Sequence, residues 1–94
     1  MQTGDIDNIF IKHKDTINCL VFSPDGKVLG TAGKEAICYI WDIEKGTIKI
    51  TLKGHKDSIN CICYSPDGCW IGTSSDDHDA IVWNAITGEI DRVF

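Results

Sequence analysis

The sequence lacks any long hydrophobic run, since none of its apolar stretches approaches the roughly 18 residues that a transmembrane helix needs. Its first residues, Met1 to Asn8, are polar and acidic, and they lack the basic and then apolar pattern of a secretory signal. We therefore expect no membrane contact and an intracellular location, in the cytoplasm, the nucleus or both.

Basic residues are also few, with nine Lys and Arg against fourteen Asp and Glu and a net charge of −5. They are scattered along the chain, whereas binding to a phosphate backbone needs them clustered. This predicts that nucleic acid is not a partner. The remaining composition, 43% hydrophobic and 24% charged, is typical of a globular chain and argues against disorder.

The five cysteines are odd in number and lie mainly inside apolar stretches, which indicates free, buried thiols in a reducing compartment. They are Cys19, Cys38, Cys61, Cys63 and Cys69. A zinc site usually combines two cysteine pairs, and no second pair accompanies Cys61 and Cys63. The acidic turn around His78 is too short for a calcium-binding loop. We therefore predict no metal site and no cofactor.

The sequence repeats itself without a gap after 42 residues, the distance from His13 to His55. The matching segments are His-Lys-Asp at 13–15 and 55–57, Ile-Asn-Cys at 17–19 and 59–61, and Ser-Pro-Asp-Gly at 23–26 and 65–68. The same shift aligns the first residues with the end of the first repeat. We therefore divide the chain into an outer strand of a preceding unit at 1–12, repeat 1 at 13–54 and repeat 2 at 55–94.

Each repeat contains four short apolar stretches separated by turn sequences, and no segment has the apolar period of a helix. The predicted strands are 17–22, 28–32, 37–41 and 47–52 in repeat 1, and 59–64, 70–74, 80–83 and 89–94 in repeat 2. The third strand of repeat 1 is apolar throughout, which indicates cover on both faces. Four antiparallel strands in about 40 residues predict an all-β fold, with each repeat forming one propeller blade.

These patterns resemble the WD40-repeat family over essentially the whole chain. The markers are Gly54-His55, Trp41-Asp42, His-x-Asp-x-Ile at 13–17 and 55–59, and the Ser-Pro-Asp-Gly turns. The resemblance implies a β-propeller that presents its loops to protein partners. The chain departs from the family pattern at Lys12, which stands where glycine usually precedes the histidine, and at Asn84, which follows Trp83 where aspartate is usual.

The resemblance also implies a structural hydrogen-bond network among a histidine, a threonine of the second strand, an aspartate of the next turn and the tryptophan. Repeat 2 has the complete set, which is His55, Thr73, Asp77 and Trp83. Repeat 1 has His13, Thr31 and Trp41, but Glu35 stands at the aspartate position. We therefore expect the network to be imperfect in repeat 1.

Two blades are too few to close a propeller, which typically has about four to eight. They would leave two apolar sheet faces exposed. Two explanations stay open: the chain is part of a larger propeller, or identical chains complete a ring of six or eight blades. Seven blades, the commonest number in the family that the chain resembles, cannot come from identical two-blade chains. We favour the first explanation, and we expect further blades, in cis or in trans, among the partners.

The sequence contains no nucleophile elbow, phosphate-binding loop or paired carboxylates, so we do not predict an enzyme. The favoured function is a protein–protein interaction scaffold, and the alternative is a self-assembling structural module. Because loops usually carry recognition on a rigid scaffold, the candidate partner-binding residues lie in the turns before the first strand and after the second. They are Lys14, Asp15, Thr16, Lys34 and Glu35 in repeat 1, and Lys56, Asp57, Ser58, Asp76 and His78 in repeat 2.

Two features of repeat 2 bear on a partner. The acidic turn from Asp76 to Asp79 suggests that the partner has a basic surface. Trp70 replaces Val28 of repeat 1, and it either packs between blades or is an exposed anchor, since tryptophan is enriched at binding hot spots.

Overall fold

The computed structural model describes residues 16–94, which form eight strands in two four-stranded antiparallel sheets. Sheet 1 contains β1 (Ile17–Phe22), β2 (Val28–Gly33), β3 (Ile37–Asp42) and β4 (Thr47–Lys53). Sheet 2 contains β5 (Ile59–Tyr64), β6 (Trp70–Ser75), β7 (Ala80–Asn84) and β8 (Ile90–Val93). Each sheet pairs its strands in chain order. The expected all-β fold is confirmed, whereas the outer strand predicted at 1–12 lies outside the described residues.

The Ser-Pro-Asp-Gly turn joins the first two strands of each sheet with the same hydrogen bonds. In sheet 1 the Asp25 carboxylate accepts from the Ser23 hydroxyl at 2.5 Å and from the Lys27 amide at 3.0 Å. Gly26 has a φ of +73°, a conformation that glycine adopts without steric cost. The bonds of Asp67 repeat this arrangement in sheet 2. The turn sequence therefore determines where β1 and β5 end.

A continuous apolar core lies between the two sheets. Its buried members from sheet 1 are Ala32, Cys38, Ile40 and Leu52. Those from sheet 2 are Ile59, Ile62, Ile71, Ile81 and Trp83, together with Ala85, which directly follows β7. Gly30 permits the close approach, since a Cβ atom there would lie 3.0 Å from Cδ1 of Ile62. The Asn18 side-chain amide also donates to the Ile59 carbonyl at 3.0 Å. The two sheets therefore bury each other's inner faces.

A second buried cluster lies on the opposite face of sheet 1. It consists of Leu29, Tyr39 and Trp41, with Ile37, Ile43 and Ile48 packed against it. The Tyr39 and Trp41 rings are 6.0 Å apart between centroids. Because alternate residues of β3 enter the two clusters, this strand is buried on both faces, as its apolar sequence predicts.

The prediction that the cysteines are buried is wrong for three of them. Cys38 is buried and Cys19 is half-buried, but Cys61, Cys63 and Cys69 are exposed. Cys61 and Cys63 share one face of β5, and that face is turned away from the core between the sheets. Cys69 lies in the turn before β6. The 42-residue period predicts equivalent positions in the two sheets, but it does not predict equivalent neighbours.

Within residues 16–94 the structure contains no helix with the length and apolar character that crossing a membrane requires. Over the same residues, no three side chains among His, Cys, Asp and Glu are grouped closely enough to bind a metal ion.

Candidate functional site

At one end of each sheet, the loop before the first strand is joined by a backbone hydrogen bond to the turn after the second strand. We call this end of the molecule the loop rim. It comprises residue 16 and the turn 33–36 in sheet 1, with residues 54–58 and the turn 75–79 in sheet 2. The Lys34 amide donates to the Thr16 carbonyl at 3.0 Å, and the Asp76 amide donates to the Ser58 carbonyl at 2.9 Å. Ala36 and His78 both have a left-handed φ, at +66° and +75°. The two turns are therefore built alike.

A chain of side-chain hydrogen bonds connects the loop rim of sheet 2 to the core. His55 places Nδ1 2.9 Å from the Asp77 carboxylate and Nε2 2.6 Å from the Thr73 hydroxyl. Trp83 Nε1 donates to the same hydroxyl at 2.9 Å. All four side chains expected in the repeat 2 network are thus within hydrogen-bond distance of a partner.

Donor and acceptor chemistry determines the direction of two of these bonds. An ionised Asp77 only accepts, so Nδ1 of His55 carries the proton and donates to it. The Thr73 oxygen accepts from the Trp83 indole, and its hydroxyl lies 2.6 Å from Nε2 of His55 and 3.5 Å from the Ile81 carbonyl. Every polar group in the chain therefore has a hydrogen-bond partner. The order carboxylate, imidazole, hydroxyl also occurs in hydrolases, but here the His55 side chain is inaccessible and Thr73 is buried.

Asp77 links the network to the backbone of the loop rim. Its carboxylate accepts from the amides of Lys56 at 2.9 Å and Asp79 at 2.8 Å, in addition to His55. Burial acts to raise the pKa of Asp77, but these three hydrogen bonds outweigh it and hold the pKa well below its usual value. The ionised form of Asp77 therefore binds the two loops of the rim together.

The depressed pKa of Asp77 predicts acid sensitivity. A carboxyl group with a lowered folded-state pKa stabilises the fold above its unfolded pKa of about 4, and the contribution is lost as pH falls towards the folded value. We expect the free energy of unfolding to fall below about pH 4, and to fall less steeply in Asp77→Asn. Urea titrations followed by circular dichroism across this range measure both slopes. Asp91→Asn, a matched change on β8, should keep the wild-type slope, and equal slopes in all three proteins would contradict the prediction.

The corresponding network in sheet 1 differs at the acidic position. Trp41 Nε1 donates to the Thr31 hydroxyl at 3.0 Å, as its counterpart does in sheet 2. Glu35 accepts instead from the Tyr39 hydroxyl, at 3.5 Å. His13 lies outside the described residues. The link between Thr31 and Trp41 is thus present, while Glu35 has a contact with no counterpart in sheet 2, where Ile81 stands at the tyrosine position.

The candidate partner-binding residues of sheet 2 lie together on the loop rim. Lys56, Asp57, Asp76 and His78 are exposed there, and Ser58 is half-buried. In sheet 1, Thr16 and Lys34 are exposed on the same rim and Glu35 is half-buried. Lys14 and Asp15 lie outside the described residues. Trp70 belongs to the opposite end of sheet 2, and it is 39% exposed.

Sequence reasoning missed two polar contacts at the rim and gave no reason for the departure at Asn84. Asn60 donates to the Asp76 carboxylate at 2.8 Å, and the Ser75 hydroxyl donates to the Asp57 carbonyl at 3.0 Å. The Asn84 side-chain oxygen accepts from two turn amides, at 2.8 and 3.0 Å. The equivalent Asp42 carboxylate accepts in the same way at 3.0 Å. Asparagine therefore replaces aspartate here without loss of the turn, because an amide oxygen is also an acceptor.

Comparison with known proteins gives a family match over most of the chain. The model of the family described as "WD domain, G-beta repeat" matches residues 4–42 and again residues 46–84. The second matched unit begins just before β4 of sheet 1 and ends with β7 of sheet 2. One sequence unit of the family thus spans parts of two sheets.

Curated relatives and solved structures resemble the chain over part of their length. The small ribosomal subunit protein RACK1 of Candida albicans is 39% identical over 44 residues, which are 47% of this chain and 14% of that protein. The nuclear distribution protein nudF 2 of Aspergillus clavatus is 40% identical over 42 residues, 45% of this chain and 10% of that protein. A structure entitled "Structure of U3-55K" superposes with a TM-score of 0.84 at 24% identity, covering 87% of this chain and 27% of the other. The chain therefore spans a small part of each.

Proposed function

Because this chain belongs to the WD40-repeat family, we propose that it acts as a protein-interaction scaffold whose partner binds the loop rim. Its two sheets have the architecture of propeller blades. A rigid β framework that holds exposed polar loops is the arrangement in which recognition residues usually occur. The rim of sheet 2 is the stronger candidate, because Lys56, Asp57, Asp76 and His78 are all exposed there.

The observation that carries this proposal is the anchoring of both rim loops by one buried hydrogen-bond chain. Asp77 holds the loop before β5 through the Lys56 amide, and its own turn through the Asp79 amide. His55 and Thr73 continue the chain to the core. A loop fixed in this way loses little conformational entropy on binding, which favours affinity. A binding role also suits the burial of Thr73 better than catalysis does.

The chemistry of the rim favours a protein partner with basic side chains. Asp57 and Asp76 are exposed carboxylates, and the net charge of −5 opposes binding to nucleic acid. One relative is itself named as a small ribosomal subunit protein. The absence of a nucleic acid partner therefore stays a prediction, as does a cytoplasmic or nuclear location.

Reversing one rim charge tests the proposal. In Asp76→Lys we expect recovery of the partner from an extract of the expressing cells to fall about tenfold, because a like charge then faces the basic surface. Quantitative mass spectrometry of the captured proteins measures the change. Glu89→Lys makes the same charge change at the opposite end of sheet 2 and should leave recovery unaltered. Equal recovery with both variants would place the partner elsewhere.

A further inference from the structure

A groove of about 360 Å³ lies between the two sheets at the end opposite the loop rim, and we call it the turn groove. Both of its sides are formed by this chain. Residues of the two Ser-Pro-Asp-Gly turns line it, together with apolar side chains that belong to the core between the sheets or pack against it. These apolar side chains are Val28, Ile40, Ile50, Tyr64 and Ala85.

Two lysines line the turn groove from sheet 1. Lys27 lies in the turn before β2, and Lys49 lies at a bulge in β4. Ile48 and Ile50 pair with consecutive residues of β3, which leaves Lys49 without a register partner. A bulge redirects a side chain, so Lys49 and Ile50 both line the groove although they are neighbours in the strand. Both lysines are exposed, and neither forms an ion pair within residues 16–94.

The two carboxylates that line the turn groove serve their own turns. Asp67 accepts from the Ser65 hydroxyl at 2.6 Å and from the Cys69 amide at 3.0 Å. Asp25 is bound in the same way, and these hydrogen bonds lower its pKa more than the charge of Lys27 does. Neither carboxylate is therefore a fixed partner for a lysine of the groove.

Tyr64 adds a further donor to the turn groove. It is half-buried, and its hydroxyl has no hydrogen-bond partner in the described part of the chain. Burial, with a contribution from Asp25, raises the pKa of Tyr64 to about 12, so the hydroxyl stays protonated at neutral pH. The groove thus offers one hydroxyl and two ammonium groups beside an apolar surface. An occupant that matches them supplies an apolar side chain and a carboxylate.

The basic character of the turn groove is not required by the 42-residue repeat. Cys69 stands at the position equivalent to Lys27, and Asp91 stands at the position equivalent to Lys49. The bulge itself recurs in β8, where it carries this carboxylate instead of an ammonium group. The two lysines are therefore a property of this groove and not of each sheet.

We infer that the turn groove binds a short peptide segment of a partner protein, in which a large hydrophobic side chain lies close to an acidic residue. The hydrophobic side chain packs on Val28, Ile50 and Ala85, and the carboxylate binds Lys27 and Lys49. The volume of the groove is near the lower end of the roughly 300–1,000 Å³ of small-molecule sites, which suits a single anchoring side chain. One such anchor in a recess carries much of the binding energy in many interfaces. This site is separate from the loop rim and does not depend on the function proposed for it.

Selection of a phage-displayed random nonapeptide library on the 94-residue chain tests the specificity of the groove. We expect the enriched peptides to combine leucine, phenylalanine or tryptophan with a nearby aspartate or glutamate. Fluorescence anisotropy of the same peptides, made synthetically, measures their affinity. Lys27→Glu and Lys49→Glu should each raise the dissociation constant about tenfold, and selection on the double variant should enrich basic residues in place of acidic ones. Lys53→Glu makes the same charge change at the other end of β4 and should bind like the wild type.

Cysteine alkylation locates the bound peptide on the wild-type chain. Cys69 lines the turn groove, whereas Cys61 and Cys63 are also exposed but lie on β5 outside it. With a selected peptide at about ten times its dissociation constant, the rate of iodoacetamide reaction at Cys69 should fall about tenfold, because only about a tenth of the protein stays free. The rates at Cys61 and Cys63 should not change. Mass spectrometry of the digested protein measures each rate separately.

Two kinds of result would overturn the inference. A library that enriches hydrophobic residues without acidic ones would indicate a purely apolar ligand. Enrichment of no peptide at all, or of peptides that leave the alkylation rate of Cys69 unchanged, would mean that the groove is not a peptide site. Asp76→Lys at the loop rim should leave peptide binding unchanged, so failure of this inference and failure of the proposed function are distinguishable.

Discussion

Trp83→Ala is expected to destabilise the chain by about 3–5 kcal/mol, the largest effect of any single substitution considered. Trp83 is 1% exposed in the core between the sheets, and its indole donates to Thr73. Truncation removes a large apolar contact, leaves a cavity and leaves the Thr73 hydroxyl without that donor. Urea unfolding followed by far-ultraviolet circular dichroism measures the loss as a shift in midpoint.

Two other tryptophan variants separate the causes of this loss. Trp83→Phe keeps most of the ring volume but removes the indole donor, so we expect a smaller loss of about 1–2 kcal/mol. Trp70→Ala removes the same ring from a 39% exposed position and should cost less than about 1 kcal/mol in dilute protein. If Trp83→Ala were no more destabilising than Trp70→Ala, the core between the sheets would not hold them together.

His55→Ala is expected to cost about 2–4 kcal/mol, because it leaves Asp77 and Thr73 without their shared partner. The same change should loosen the loop rim, since Asp77 would no longer be held against the core. Urea titration measures the stability, and hydrogen exchange at the Lys56 amide, which donates to Asp77 at 2.9 Å, measures the loosening. We expect that amide to lose much of its protection.

His78→Asn provides the matched control for His55→Ala. His78 is exposed on the same rim, and asparagine tolerates its left-handed φ of +75°. Its cost should stay within about 0.5 kcal/mol. Equal costs for the two histidine variants would mean that the hydrogen-bond chain does not stabilise sheet 2.

The strand pattern could be predicted from the sequence because turn chemistry and apolar stretches are local properties. The predicted bounds of β1 and β5 agree with the structure, since each strand runs directly into Ser-Pro-Asp-Gly. The last strand is shorter than predicted, because Gly88 adopts a φ of +79° and Glu89 still belongs to the turn. The hydrogen-bond partners of His55 could be named beforehand only because the family pattern placed them, since they are 18 and 22 residues away in the chain.

Burial could not be predicted from the period alone, because it depends on which surface lies opposite. Cys19 and Cys61 occupy equivalent positions, yet only Cys19 faces the second sheet. Trp70 is exposed for the same reason, while Val28 at the equivalent position packs in the core. Desolvation raises the pKa of the buried Cys38 thiol, which lowers its reactivity. Cys61, Cys63 and Cys69 are exposed, so these three thiols are accessible to an alkylating reagent.

The core between the sheets joins two different surfaces, the face of sheet 1 that carries Ile40 and the face of sheet 2 that carries Trp83. Because the two surfaces differ, this contact is heterologous, and no two-fold axis can relate its two sides. Stacking of such sheets never ends in a symmetric pair: each addition covers one surface and presents the next. A ring closes only when the rotations from each sheet to the next add up to a full turn. Otherwise an open filament results. The polarity of this one interface thus determines which assemblies the fold can form.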